Sequence, residues 1–306
     1  MLKKSDSKIK NSKIVSFVIL HFGDWKVTDN CIQSILKMKR QEQIRIVIVD
    51  NDIKKPIAER KILQERYETN AAIHVIQILE NGGFSYANNI GYAYAREQQN
   101  ASFILVLNND IEFLQVDFIE RLEQAYLNNP CHILAPDIVK ASTKEHQNPM
   151  DTRIRTKEEA EYTIRMNHFA LKWYPVLYPV LYLQNKYSEK KSLENKRKNE
   201  EYYNRIQQNI VPFGACLIFT PQFVQLETKA FDPETNFYYE EYILTLRCQR
   251  KGYEIVYDPE LKLLHESGAA TKKSMKNEWS KTRFIIEKMI NACEIYLKEI
   301  TGEGRK

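Results

Sequence analysis

The residues with the clearest chemical potential are Asn108, Asn109 and Asp110, which end the hydrophobic segment SFILVLNND. Short oxygen-bearing side chains at a strand end can hold a hard divalent cation, for which the carboxylate of Asp110 is a natural ligand. Such a cation would offset the negative charge that develops on a departing diphosphate. Asn and Asp also form local hydrogen bonds at strand ends, so the triplet taken alone favours a turn over a metal site.

A glycine-containing segment, NGGFSYANNIG at 81–91, joins a turn to the start of a predicted helix. Backbone amides there could approach a phosphate or a ribose closely, because glycine has no side chain and helix N-termini attract anions. Asn88 and Asn89 could equally be ordinary polar residues of a helix. The two interpretations carry equal weight when the segment is considered by itself.

Two glutamates, Glu240 and Glu241, follow an aromatic run at the start of another predicted helix. A carboxylate there can act as a general base if a substrate hydroxyl lies within hydrogen-bond reach. Acidic residues also favour helix N-termini through the helix dipole, which accounts for one of the two without catalysis. His265 ends a strand-like segment and could bind a metal or a diphosphate, although a single histidine in such a place is more often structural.

The elements that must position these residues alternate between strands and helices. Continuous apolar runs predict buried strands, with helical periodicity between them, at KIVSFVIL (13–20), IRIVIVD (ending at Asp50), IHVIQIL (73–79) and SFILVLNND (ending at Asp110). This alternation predicts a parallel sheet, and in open parallel sheets ligands bind beyond the carboxyl ends of the strands. Those ends carry His21, Asp50, Asn81 and the Asn-Asn-Asp triplet.

The pattern changes near Pro149. Residues 150–209 combine the aromatic segment WYPVLYPVLYLQ with a Lys- and Glu-rich run, and we interpret them as an insertion. Order returns with VPFGACLIF, a helix at EEYILTLRCQRKGY, a strand at EIVYD and a final helix from about Asn277 to Ile300.

Composition sets limits on the class of protein. With 306 residues and 43% hydrophobic side chains the chain can build a large globular core, and a net charge of +5 does not by itself indicate a nucleic-acid partner. Five scattered cysteines without a CxxC pair argue against disulfides or a zinc cluster and favour a reducing cytoplasm. No apolar run is long enough for a membrane span, and the Lys-rich first residues do not resemble a secretion signal.

Six segments, in order along residues 13 to about 270, resemble the family 2 glycosyltransferases of the GT-A fold, in particular the bacterial branch that builds rhamnose-containing and other surface polysaccharides. They are KIVSFVILHFGDW with CIQSIL, IVIVDN, NGGFSYANNIGYAYA, ILVLNNDIE, FGACLIFTPQFV and FYYEEYILTLRCQRKGYEIVYDPELKLLHESG. The resemblance implies a Rossmann-like, mostly parallel α/β sheet flanked by helices. It further implies a catalytic domain at 13–270 with a helical insertion at 150–209 near the acceptor side, and a C-terminal helical extension at 271–306.

The resemblance also implies roles for individual residues. Asp50 would contact the donor base, Glu241 would be the catalytic base and Glu240 would shape the acceptor site. Asp110 is the one carboxylate at the position of the family's Asp-x-Asp motif, and with His265 it would hold Mn²⁺ or Mg²⁺. The other nucleotide-sugar-binding residues implied are His21, Phe22, Asn81, Gly83, Phe84, Asn88, Asn89, Asn108, Asn109 and Gly214.

The implied activity is inverting transfer of a sugar from a UDP-sugar or dTDP-rhamnose to a glycan or a polyprenyl-diphosphate-linked acceptor. A catalytically weakened scaffold or binding protein of the same fold is the alternative, because Glu241 stands where the family usually has aspartate. A nucleotidyltransferase would need a Gly-rich basic loop after the first strand, and a dinucleotide-dependent oxidoreductase would need a glycine fingerprint there. The sequence HFGDWK supplies neither.

The aromatic segment of the insertion has two interpretations. Trp173 to Tyr182, followed by lysines from Lys186 onward, has the chemistry of a peripheral contact with an anionic membrane, here the inner face. Alternatively, Trp173, Tyr174, Leu177 and Leu181 pack at helical spacing against the catalytic core or against a second subunit of a homodimer. Packing is the preferred interpretation.

Overall fold

A computed structural model describes residues 13–184, 187, 200–232, 238–266 and 278–302 of the chain. The strands are β1 (Val15–His21), β2 (Ile44–Asp50), β3 (Ile73–Gln77), β4 (Phe103–Asn108), β5 (Ile111–Phe113), β6 (Ile133–Lys140), β7 (Gln207–Gln208), β8 (Cys216–Phe219) and β9 (Ile255–His265). The helices are α1 (Trp25–Leu36), α2 (Ile57–Tyr67), α3 (Gly83–Glu97), α4 (Phe118–Asn128), α5 (Lys157–Lys172), α6 (Glu200–Tyr203), α7 (Pro221–Leu226), α8 (Glu240–Lys251) and α9 (Glu278–Thr301). A 3₁₀ turn spans Gln41–Gln43, and residues 174–184 are helical.

The strands form one sheet in the order β3-β2-β1-β4-β8-β6-β9-β5, with β7 paired to β9. Strands β1 to β4, β6 and β9 run in the same direction, whereas β8 lies antiparallel between β4 and β6. The prediction of a mostly parallel α/β sheet flanked by helices is confirmed. The predicted segments EIVYD and DPELKLLHE form one long strand, β9, whose pairing with β6 shifts register between Pro136 and Asp137.

The central strands are buried on both faces, which explains their continuous apolar sequences. In β1, Phe17 and Ile19 face a cluster that includes Ile32 of α1 and Leu122 of α4. Val18 faces the opposite cluster, which α3 and α8 help to cover. Because both faces are covered, most side chains within these strands are apolar, and the chemical motifs of the sequence lie at the strand ends.

A further layer joins the insertion, α8 and α9. Ala160 of α5 and Ile243 of α8 pack in one cluster with Cys293 and Tyr296 of α9. Tyr174 is buried in a smaller cluster with Ile286 and Ile290 of α9. No helix among the described residues is long and apolar enough to cross a membrane.

Candidate functional site

The strand register brings the predicted site residues to one edge of the sheet. His21 pairs with Asp50, and Leu20 beside it pairs with Asn108. The backbone N–H of Asn108 donates to Ala215 O at 2.9 Å, so the segment before β8 lies at the same edge. His265 pairs with Ile111, which places the end of β9 beside Asp110. The strand ends that the sequence analysis singled out therefore meet.

A buried hydrogen-bond chain joins the ends of β1 and β4. His21 Nδ1 lies 2.6 Å from Thr28 Oγ1, and Asn109 Nδ2 donates to that hydroxyl oxygen at 2.9 Å and to Phe22 O at 3.1 Å. Burial lowers the pKa of His21, so its imidazole is neutral near pH 7. The Asn109 amide thus orients the loop after β1. Thr28 was not predicted as part of the site, because only the fold brings α1 to this edge.

Asp50 is buried at the end of β2 and its carboxylate is already engaged. Arg60 Nε lies 2.6 Å from Asp50 Oδ2, and the N–H of Asp52 donates to Asp50 Oδ1 at 3.1 Å. Arg60 also donates to Ile78 O at 2.9 Å, so one guanidinium joins the ends of β2 and β3. Arg60 was not predicted as part of the site, because the sequence around it in α2 contains no recognisable motif. A ligand at Asp50 would meet a carboxylate that Arg60 orients and neutralises.

The turn into α3 is held by its own first residues. Asn81 Oδ1 accepts a hydrogen bond from the N–H of Gly83 at 3.0 Å. Gly83 has φ of 89°, a conformation that residues with a Cβ rarely adopt. Phe84 packs edge-on against Phe231 with ring centroids 5.4 Å apart. The predicted residues of this turn therefore form a fixed backbone corner beside the ends of β1 and β2.

The neighbouring asparagines of α3 have different surroundings. Asn89 makes two hydrogen bonds to the backbone of Phe231, donating to its carbonyl at 3.0 Å and accepting from its N–H at 2.9 Å. Asn88 has 0% of its surface exposed, and neither its amide nitrogen nor its amide oxygen has a partner among the described residues. An unpaired buried amide is costly, so Asn88 has the unused capacity to bind a polar group. The amide of Asn89 is instead held by the backbone of Phe231.

Asp110 and His265 form the most direct polar contact between two strand ends. His265 Nε2 lies 3.1 Å from Asp110 Oδ1, and His265 Nδ1 lies 2.7 Å from Gln147 Oε1. With Nδ1–H donating to Gln147 Oε1, Nε2 is the ring nitrogen that faces the Asp110 carboxylate. Two facing acceptors suit a shared cation, and a second hydrogen bond that orients a ligand histidine is a common feature of metal sites. The described residues hold no group of three or more His, Cys, Asp and Glu side chains suited to a metal.

Glu241 lies against the backbone before β8. The N–H of Gly214 donates to Glu241 Oε1 at 3.1 Å. A Cβ at position 214 would lie 2.3 Å from the same oxygen, so glycine is needed for this contact. Burial raises the pKa of Glu241, while the Gly214 hydrogen bond favours its charged form. Gly214 and Glu241, both predicted as site residues, are thus in direct contact.

Glu240 is buried beside Glu241, and its Oε1 has no hydrogen-bond partner among the described residues. Burial, with a smaller contribution from the charge of Glu241, raises the pKa of Glu240 to about 8. A proton on Glu240 relieves repulsion between the two carboxyl groups, as expected for adjacent buried acids. Near pH 7 we therefore assign a proton to Glu240.

The turn that presents the two glutamates has an uncommon backbone. Tyr238 and Tyr239 have φ of 70° and 64°, in the left-handed region that non-glycine residues seldom occupy. The ring of Tyr239 lies 5.0 Å from that of Tyr242 and 5.2 Å from that of Tyr296. These contacts hold the turn in place, so packing against α9 helps to direct the Glu pair.

Comparison with known proteins agrees with this geometry. The family model described as glycosyl transferase family 2 matches residues 16–211, more than half of the chain. Among solved structures, residues 1–349 of S. aureus TarS share the fold with a TM-score of 0.50 and 12% identity, over 93% of this chain and 73% of that chain. No curated protein matches the sequence significantly. With the GT-A architecture and the family match in agreement, this chain belongs to glycosyl transferase family 2 and is a glycosyltransferase.

Proposed function

We propose that this glycosyltransferase moves a sugar from a nucleotide-diphosphate donor, a UDP-sugar or dTDP-rhamnose, to a glycan or lipid-linked glycan in bacterial surface polysaccharide synthesis. One observation carries the proposal. The carboxyl group of Glu241, held by the N–H of Gly214, lies in the same edge region of the sheet as the Asp110–His265 pair. A base and a site for a diphosphate-bound cation are the two parts that such a transfer needs.

The proposed reaction is a single displacement with inversion. Glu241 accepts the proton of an acceptor hydroxyl while that oxygen attacks the anomeric carbon of the donor sugar. The bond from that carbon to the diphosphate oxygen breaks, and the nucleoside diphosphate leaves with the electron pair. Glu240 keeps its own proton and can donate it as a hydrogen bond, which orients the acceptor without competing for the hydroxyl proton.

Asp110 and His265 are the residues that would hold Mn²⁺ or Mg²⁺. When bound, the ion would supply positive charge for the departing diphosphate. A carboxylate and an imidazole suit Mn²⁺ well, whereas Mg²⁺ favours oxygen ligands. Gln147 acts through His265, because its side-chain oxygen fixes the orientation of the ring.

The donor nucleotide is proposed to bind along the same edge, beside the loop after β1 and the turn into α3. Residues proposed to touch it are His21, Phe22, Asp50, Asn81, Gly83, Phe84, Asn88, Asn108 and Gly214. Asn89 and Asn109 are proposed to shape this pocket indirectly, since their amides bind the backbone carbonyls of Phe231 and Phe22.

The wider arrangement is also a proposal. We assign catalysis to residues 13–270, acceptor contact to the insertion at 150–209 and a supporting role to 271–306. We propose that the protein acts at the cytoplasmic face of a membrane, where a polyprenyl-linked acceptor would be presented. The Lys-rich run at 188–199 lies outside the described residues. Solution measurements on the whole chain test whether it forms a homodimer.

A nucleotide-sugar panel tests the proposed function. Release of nucleotide from each UDP-sugar and from dTDP-rhamnose is measured with and without Mn²⁺, for the native protein and for Asp110→Ala. If nucleotide release depends on Mn²⁺ and Asp110→Ala abolishes it, the result would support the proposed metal-assisted transfer. Binding of a donor without any turnover, with or without added acceptor glycans, would favour the scaffold alternative.

A further inference from the structure

The insertion carries an exposed apolar face along α5 and the helical residues that follow it. Side chains on this face are between 45% and 71% exposed, although all are large and apolar. They are Tyr162, Met166, Phe169, Trp173, Val176, Val180 and Leu183. Their spacing alternates between four and three residues, which places them along one side of a helix. We refer to these seven residues as the exposed stripe.

The exposed stripe is not the face that packs on the protein. Ala160 and Ile164 of α5 pack toward α8 and α9, and Tyr174 and Leu181 pack against Ile290 of α9. The packing predicted for Tyr174 and Leu181 is therefore present, with α9 as the partner. The segment thus has two apolar faces, and the described part of the chain covers only one of them. Exposed apolar residues in such a row mark a binding surface.

The helical segment itself carries only basic residues along the exposed stripe, although Glu294 of α9 lies 3.9 Å from His168 and Glu158 and Glu161 precede the stripe. Between Tyr162 and Leu183 the sequence contains Arg165, His168 and Lys172 but no Asp or Glu. Arg165 and Lys172 are exposed on the same helix. An apolar face that carries Trp, Phe and Leu and is bordered by cations has the composition of a helix lying at an anionic lipid surface.

A second copy of the chain fits the exposed stripe less well. Helix-to-helix pairing of two stripes would bring Arg165 and Lys172 near the same cations of the other copy, and like charges repel. A continuous coiled-coil seam would also have to cross the end of α5 at Lys172, after which Pro175 and Pro179 interrupt the regular hydrogen bonding. Neither the like charges nor the interruption after Lys172 opposes contact of the stripe with an anionic lipid surface.

We propose that the exposed stripe binds the surface of an anionic lipid bilayer, with its apolar side chains at the acyl boundary and Arg165 and Lys172 among the headgroups. The inner face of the same helix packs in a cluster with Tyr239 and Tyr242, which flank Glu240 and Glu241. Docking therefore sets the orientation of the Glu pair relative to the lipid surface. This last step rests on the proposed function, because it matters for an acceptor carried on a lipid.

Vesicle co-sedimentation of the full chain tests the proposal. The vesicles contain phosphatidylcholine with or without phosphatidylglycerol, and no donor is present. The test variant is Phe169→Glu/Val176→Glu. The matched control is Leu127→Glu/Leu226→Glu, which makes the same charge change at two exposed apolar residues away from the stripe. Thermal melts confirm that both variants are folded.

We expect the native protein to prefer phosphatidylglycerol vesicles, and the stripe variant to bind them at least roughly ten-fold more weakly. The control variant should bind within about two-fold of the native protein, since non-specific charge effects alone are small. No binding of the native protein, or equal weakening by the control, would overturn the proposal. If light scattering finds a dimer in the native protein and in the control variant but not in the stripe variant, and the native protein does not bind vesicles, the stripe would be assigned to a second copy instead.

Nucleotide release in solution separates this proposal from the proposed function. Because the stripe belongs to the insertion proposed to contact the acceptor, nucleotide release from the donors is measured on the native protein, without vesicles. A native protein that releases nucleotide but does not bind the vesicles would contradict membrane docking alone. Intact vesicle binding in a protein that releases no nucleotide from any donor would contradict the proposed function alone.

Discussion

The Glu pair shows how one backbone contact can divide the roles of two neighbouring carboxyl groups. Glu241 receives a hydrogen bond from the N–H of Gly214, whereas Glu240 Oε1 receives none from the described residues. Burial raises the pKa of both groups, and backbone hydrogen bonds, including the one from Gly214, lower the free energy of the charge on Glu241. Contact with Gly214 thus distinguishes Glu241, the proposed base, from its neighbour Glu240.

Replacing Glu241 with Gln should lower the rate of transfer by roughly 10²- to 10⁴-fold, because the amide keeps the shape but cannot accept a proton. Donor affinity should change little, since donor binding does not need that proton transfer. Single-turnover transfer assays and calorimetric donor titration measure the two quantities. A parallel loss of donor affinity would argue that Glu241 binds the donor instead of activating the acceptor.

Glu240 makes the stability of the fold depend on pH. Its pKa is about 8 in the folded protein and 4.5 ordinarily, so between these values the folded state binds a proton that the unfolded state has released. Stability from this group is complete below about pH 4.5 and falls as pH rises toward 8. Glu240→Gln should remove this dependence and raise the melting temperature at pH 8.5 by a few degrees, about 2–4 °C per kcal/mol for a domain of this size. Melting curves from pH 5 to 9 would test it, and an equal gain at pH 5 would contradict it.

Sequence motifs located the polar residues of the site but not their partners. Asp50 and Asp110 were found because each follows or ends a predicted strand at the ligand-binding edge of a sheet, and Gly214 because the family resemblance implied it. Arg60 and Gln147 were not, because their contacts with Asp50 and His265 depend on how helices and loops fold over that edge. Such partners leave no local pattern in the sequence.

At the scale of elements, α3 uses two adjacent asparagines for different purposes. Successive residues of a helix point about 100° apart, so Asn89 reaches the backbone of Phe231 while Asn88 faces inward toward the sheet. The Asn89 amide joins α3 to the segment that follows α7. The Asn88 amide has no hydrogen-bond partner among the described residues.

Asn89→Ala should therefore destabilise the fold, because it leaves the N–H and carbonyl of Phe231 unpaired, at about 1–3 kcal/mol for a buried pair. Asn88→Ala should remove an unsatisfied amide, change stability less and weaken donor binding. Urea unfolding and donor titration of the two variants provide matched controls for each other. Weaker donor binding in Asn89→Ala at unchanged stability would reverse the two assignments.

The elements themselves were predictable to different degrees. Strands β1 to β4 followed directly from continuous apolar runs, which is the expected sequence of strands covered on both faces. The antiparallel direction of β8 was not predicted, since a short apolar run carries no sign of its direction. For the aromatic segment, the sequence showed apolar residues on several sides, and only α9 determines that Tyr174 lies inside and Trp173 outside.

At the scale of the whole molecule, α9 links the insertion to the catalytic edge. Tyr296 is fully buried, its hydroxyl donates to Arg155 O at 2.7 Å, and its ring lies 5.9 Å from that of Tyr242. Arg155 in turn pairs with Asp151 at 3.2 Å. A helix more than 30 residues beyond Glu241 thus completes the packing around the strained turn that presents it. The proposed boundary at 270 separates segments that share a core.

Tyr296→Ala should accordingly lower stability by about 3–5 kcal/mol, the usual effect of removing a buried aromatic ring. It should also reduce transfer at temperatures where the protein remains folded, because the turn at Tyr239 loses one of its supports. Tyr296→Phe keeps the ring and removes only the hydrogen bond to Arg155, so stability should fall by about 1 kcal/mol with little change in transfer. Arg283→Ala, on the exposed side of α9, serves as the surface control. Denaturant unfolding and single-turnover transfer separate the two effects. A destabilised Tyr296→Ala protein that still transfers at the native rate would show that α9 supports the fold without directing the Glu pair.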